Sequence, residues 1–144
     1  AMWPTSWDTF QLEPWTKVNE FTRQEGSYAG WRTLVLTVAD NKVTYYVDGK
    51  LFSEHTSAVY PEDFMSINFN LWFMPKGADG SQGPVDSPEI REYQEDIDWV
   101  FFQEGVAITT AEVEAQIADM RSKKVAYIDN VKEQNPALPS PCGL

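Results

Sequence analysis

Cysteine and histidine are almost missing from this chain of 144 residues, which holds one of each. Cys142 has no second cysteine to bond, so no intrachain disulfide can form. His55 alone cannot supply the several imidazoles on which zinc and copper sites are commonly built. It stands beside Glu54 in a polar stretch with no nucleophile-elbow pattern, so no Ser–His–Asp triad is expected. Cys142, in a proline-rich end without a neighbouring base, is a poor nucleophile. Positive charge is also scarce. Eleven Lys and Arg stand against 22 Asp and Glu, a formal net charge of −11. Without a basic run such a chain repels phosphate backbones, which argues against nucleic acid as a partner. No apolar run approaches the roughly 18–20 residues of a membrane span, and no charged–apolar–small leader pattern opens the sequence.

Aromatic side chains are plentiful: six Trp, six Tyr and eight Phe. Nineteen of these twenty lie before residue 106, and only Tyr127 lies beyond. The acidic excess divides at the same place, with net −10 over 1–105 and net −1 over 106–144. This predicts one aromatic, acidic domain over 1–105 and an appended tail over 106–144 packed on it.

Local patterns place the elements. Trp31 to Val38 is rich in β-branched and aromatic residues, as strands are. Ala39-Asp40-Asn41 signals a turn, Lys42 to Val47 a second strand, and Asp48-Gly49 a second turn before Lys50-Leu51-Phe52. Over 64–74, Ile67, Phe69, Leu71 and Phe73 alternate with Asn68, Asn70, Trp72 and Met74. The period of two predicts a strand whose first set faces the core. A glycine- and proline-rich loop follows over 75–88. Residues 95–103 form a further expected strand, with Ile97, Trp99 and Phe101 on one face. The tail then changes period. Thr109 and Glu112 fit a capping box, Val113, Ile117 and Met120 recur at helical spacing, and a helix is predicted over 110–124. The end, with Pro136, Pro139 and Pro141, is expected to be extended.

Two chemistries compete for these residues. Asn68, Asn70 and Trp72 on one strand face suit a sugar, whose C–H face stacks on an indole while its hydroxyls need amide partners. The same residues would serve equally well if Trp72 packed beneath a loop and the amides paired with backbone. Glycoside hydrolysis needs two carboxylates, about 5–5.5 Å apart for retention. Asp96 and Asp98 share a face, yet the cluster around them reads more simply as a solvated acidic edge. The loop from Asp79 to Asp86 carries oxygens for a structural calcium, but its spacing matches no specific calcium loop. No cofactor and no other metal is expected.

The run from Lys42 to Gly49 contains Tyr46-Val-Asp-Gly49, which resembles the hairpin of concanavalin A-like lectin and glucanase domains. Asn68-Phe-Asn-Leu-Trp72 and Asp96-Ile-Asp-Trp-Val100 are similar to later strands of glycoside hydrolase family 16. The resemblance covers about 31–103. It implies a mostly β fold, an antiparallel β-sandwich of jelly-roll type, reduced or incomplete, with the single C-terminal helix added. It also implies Asn70 and Trp72 as sugar contacts, Tyr46 and Asp48 as hairpin residues, and a secreted or cell-surface location.

Trp3-Pro-Thr-Ser-Trp7 is similar to a Trp-Pro-rich strand of that family, in which a Glu-x-Asp-x-Glu strand carries catalysis. Its counterpart here, Lys17-Val-Asn-Glu-Phe21, turns Lys17, Asn19 and Phe21 toward the cleft, with no carboxylate among them. Shifting the register by one brings in Glu20, flanked by Thr16 and Val18. Neither register yields a pair of acids. The expected function is therefore a non-catalytic carbohydrate-binding module. Its ligand residues would be Trp72, Asn70, Asn68, Asn19, Lys17 and Glu20, and its ligand a β-glucan-like or related plant or algal polysaccharide. The alternative is a family 16-type endo-glycosidase, or a fragment of one, with Glu20 as the surviving catalytic carboxylate. The family's domain takes roughly 200 residues, in the range of single-domain all-β folds. A shorter jelly roll exposes sheet edges and predicts a strand-swapped or other homo-oligomer.

Overall fold

The computed structural model describes residues 1–7, 18–61, 65–71, 89 and 92–131. Among these the chain forms five strands in two antiparallel sheets and one α-helix, a mostly β structure. The contacts divide it into two units, 1–107 and 108–144.

In the first unit, β1 (Thr5–Trp7) pairs with β2 (Asn19–Phe21), with Thr5 opposite Phe21 and Trp7 opposite Asn19. The same register runs on to a bridge between Met2 and Gln24, so the ladder is longer than its strands. The second sheet is a meander of β3 (Leu34–Ala39), β4 (Lys42–Val47) and β5 (Lys50–His55), in that order. Both of its turns have two central residues with positive φ, Asp40 (51°) with Asn41 (58°) and Asp48 (50°) with Gly49 (75°). That is the type I′ geometry whose twist matches paired strands, and Asp, Asn and Gly tolerate it best. Asp48 also locks its turn in place, accepting from the Thr33 backbone N–H (3.0 Å) and the Arg32 guanidinium (2.8 Å). Thr33 and Asp48 thereby extend the β3–β4 ladder beyond Leu34.

One irregularity sets which side of β5 is covered. Tyr45 pairs with Ser53 but Tyr46 pairs with Leu51, so Phe52 is an extra residue in β5. The bulge brings His55 opposite Val43. A regular ladder continued from Val47 and Lys50 would have put Glu54 there instead. Val43, Ser53 and His55 are all buried, as is Val59 in the 3-10 turn Ser57–Val59, which packs against both β4 and β2. Among the described residues the core of this unit is small and half polar.

The second unit holds α1 (Thr110–Ser122). Thr109 and Glu112 make the expected capping box, in which each side chain accepts from the other residue's backbone N–H. The helix stops two residues before the predicted end. Lys124 turns left-handed (φ 55°), and Lys124 and Val125 donate to the carbonyls of Arg121 and Met120, a Schellman closure. Val113, Ile117 and Met120 are the least exposed stripe of its later turns, as their spacing predicts.

Two expected strands are absent among the described residues. Residues 65–71 are exposed and carry no sheet pairing, with Ile67, Phe69 and Leu71 about half accessible where a core face was expected. Residues 95–103 likewise carry no sheet pairing, although Trp99 and Phe101 are less exposed than their neighbours. Alternation equips a segment for a sheet, but a strand exists only when another backbone completes its ladder.

Candidate functional site

Side chains alternate across β1 and β2, so the first sheet has two unlike faces. The inner face carries Ser6 and Glu20, which oppose each other in the ladder. Ser6 Oγ lies 2.8 Å from His55 Nδ1 and 2.8 Å from the Tyr45 hydroxyl, and His55 Nε2 lies 3.4 Å from Thr22 Oγ1. Glu20 accepts from the Thr56 backbone N–H at 2.8 Å and from the Thr56 hydroxyl. The Thr56 hydroxyl, then its N–H, hold the Glu20 carboxyl below its ordinary range, and the nearby His55 adds in the same direction. These polar contacts fasten the first sheet to the meander.

Ser6 with His55 is a nucleophile–base pairing by residue type, one that the sequence did not suggest across 49 positions. Ser6 is only 7 % accessible and His55 only 2 %, and Ser6 Oγ is already shared with Tyr45. A nucleophile must meet its substrate, so this pair is a buried cross-link between sheets.

The outer face is different. It carries Trp3, Thr5 and Trp7 from the first strand and Asn19, Phe21 and Arg23 from the second, all in non-hydrogen-bonded pairs, where side chains approach most closely. The Trp3 and Phe21 rings are tilted at 59° with centroids 5.5 Å apart, and the Arg23 guanidinium lies over Trp3 at 5.4 Å. Arg23 is also paired with Glu25. Trp3, Trp7 and Phe21 are 53 %, 57 % and 57 % accessible, large apolar surfaces left to solvent on a strand pair. Asn19, directly opposite Trp7, places an amide beside the indole. The arrangement offers stacking surface edged by hydrogen-bonding groups, with Glu25 as the carboxylate at its margin.

Of the six residues expected to hold a ligand, Asn19 lies on this outer face, and Glu20 points the opposite way into its bonds with Thr56. Asn68 and Asn70 lie in the exposed segment 65–71, where the Asn68 amide donates to Ser66 Oγ at 2.8 Å. Lys17 and Trp72 are outside the described residues, as are Cys142 and the loop from Asp79 to Asp86. The described residues contain no cluster of three or more metal-ligating side chains and no helix long and apolar enough to cross a membrane. Trp3, Trp7 and Arg23 are the site residues that sequence reasoning missed. Trp3 and Trp7 were visible as strand aromatics, but only the pairing with 19–23 shows them sharing a face.

No protein-family model, curated protein or solved structure matches the chain.

Proposed function

We propose that this chain is a non-catalytic carbohydrate-binding module whose two sheets belong to a concanavalin A-like sandwich, and that the outer face of β1 and β2 holds the glycan. The observation that carries the reading is the exposure of Trp3, Trp7 and Phe21 together on one face, beside Asn19 and Arg23. A pyranose presents C–H bonds to an aromatic ring and hydroxyls to amides and guanidinium groups. Trp3 and Trp7 are four strand positions apart, about 13 Å at the usual rise, a span that suits several sugar units of a polymer. Trp72 and Asn70 are further contacts that the family resemblance suggests. Hydrolysis finds less support. Glu20, the acid that reading depends on, is turned away from this face and engaged by Thr56.

Affinity electrophoresis in laminarin, mixed-linkage glucan, xyloglucan and agarose, scored together with reducing-sugar release, tests the proposal. Retardation by at least one glycan without product is expected. Trp7→Ala and Phe21→Ala should each weaken binding about tenfold or more, roughly 1.4 kcal/mol, with an unchanged circular dichroism spectrum. Binding lost in Trp72→Ala yet intact in Trp7→Ala would move the site to 64–74. Product release abolished by Glu20→Gln would establish the hydrolase instead.

A further inference from the structure

We infer that the edge of β3 that no described strand covers pairs with the same edge of a second copy of this chain, joining the two meanders into one antiparallel six-stranded sheet. The ladder with β4 fixes which groups are available. Thr33 and Asp48 are hydrogen-bonded partners, so the alternate residues Val35, Thr37 and Ala39 turn their N–H and C=O groups toward β4. Leu34, Leu36 and Val38 therefore present theirs to the outer edge, and no strand among the described residues lies beside it. An unpaired edge is a template for strand addition unless charge, proline or a bulge blocks it. Residues 34–39 carry none of these.

Two features select a second copy as the occupant. One is register. Antiparallel pairing about Leu36 sets Leu36 against Leu36, and Leu34 against Val38 twice over, so all three outward residues meet outward residues. Leu34 and Leu36, 61 % and 50 % accessible, then form one continuous apolar strip with Val38 across the two-fold axis. The other is charge. Continued to its ends, this register brings Arg32, which is already paired with Asp48 of its own chain, level with the turn residue Asp40 of the second copy, at both ends by symmetry. A chain of net −11 thus meets itself along an uncharged strand closed by opposite charges.

Sedimentation equilibrium of the full chain from low-micromolar to near-millimolar concentration is expected to show a reversible dimer. Leu36→Lys, a change at a half-exposed position, should keep the circular dichroism spectrum and leave a monomer throughout. Register is read separately in a Cys142→Ser background. Leu36→Cys should give a disulfide-linked dimer on mild oxidation, because hydrogen-bonded partners have Cα atoms about 5.5 Å apart. Leu34→Cys should not, since its symmetry mate lies about 13 Å along the strand. A wild-type monomer at all concentrations, a Leu36→Lys variant that dimerises normally, or equal cross-linking of the two cysteine variants would overturn the inference.

Discussion

Ser6 and Ser53 are both buried in the first unit, yet they stand in opposite positions energetically. Ser6 Oγ has two partners, Tyr45 and His55, whereas Ser53 Oγ is buried with none among the described residues. Removing a partnered hydroxyl leaves an imidazole and a phenol to find new bonds in a dry site, whereas removing an unpartnered one relieves a desolvation cost. Ser6→Ala should therefore destabilise by about 1–3 kcal/mol, and Ser53→Ala should be neutral or stabilising. Urea denaturation distinguishes them, and equal losses would contradict this account of the interface. None of this was legible in the sequence. Ser6 and His55 are 49 positions apart, and nothing local marks either as buried. His55 stands next to an exposed Glu54, and only the Phe52 bulge places it on the covered face.

At the scale of elements, legibility followed the range of the interactions. The turns at Asp40-Asn41 and Asp48-Gly49 and the capping box at Thr109 and Glu112 are written in adjacent residues, and they stand where expected. The β5 bulge is not written locally, because the ladder with β4 creates it. Its role is testable. Deleting Phe52 takes out the extra residue and leaves Ser53, Glu54 and His55 opposite Tyr45, Thr44 and Val43, so that variant should still unfold cooperatively. Inserting one Ala after Ser53 instead drives Glu54 opposite Val43 and should abolish cooperative thermal unfolding. An insertion variant that unfolds as cooperatively as the deletion variant would show that the covered face of β5 does not depend on this register. The segment 65–71 teaches the converse. Ile67, Phe69 and Leu71 alternate as in a strand, but among the described residues they have no ladder and no cover. The aromatic face of β1 and β2 was half legible. Asn19 and Phe21 were expected on one side of their strand, but Trp3 and Trp7 joined them only through pairing.

For the whole molecule, the net charge of −11 and the specific carboxylate contacts respond to acid in opposite directions. Protonating surplus carboxylates relieves repulsion, so stability should rise slightly from pH 7 toward pH 5. Below that, the bound carboxylates decide. Asp48 is held low by the Arg32 guanidinium and the Thr33 N–H, Glu20 by the Thr56 hydroxyl and N–H, and Glu112 by the Thr109 N–H and hydroxyl. A carboxylate lowered on folding contributes stability above its unfolded value, and that stability is lost as pH falls through the folded value. Melting temperatures should therefore drop below the ordinary values of 3.8 for Asp and 4.5 for Glu. The acid limb should be shallower in Asp48→Asn, which keeps the left-handed turn, and an identical limb would contradict the assignment. The same net charge that argues against nucleic acid leaves a neutral glycan unopposed, and the central claim is that the glycan lies on Trp3 and Trp7. The most direct measurement follows the tryptophan indole N–H signals in a ¹H–¹⁵N spectrum during titration with laminarin or mixed-linkage glucan oligosaccharides. Trp3 and Trp7 should shift along one saturation curve while Trp31, exposed but outside β1 and β2, stays in place. Stationary Trp3 and Trp7 signals, with binding detected elsewhere or nowhere, would contradict the account.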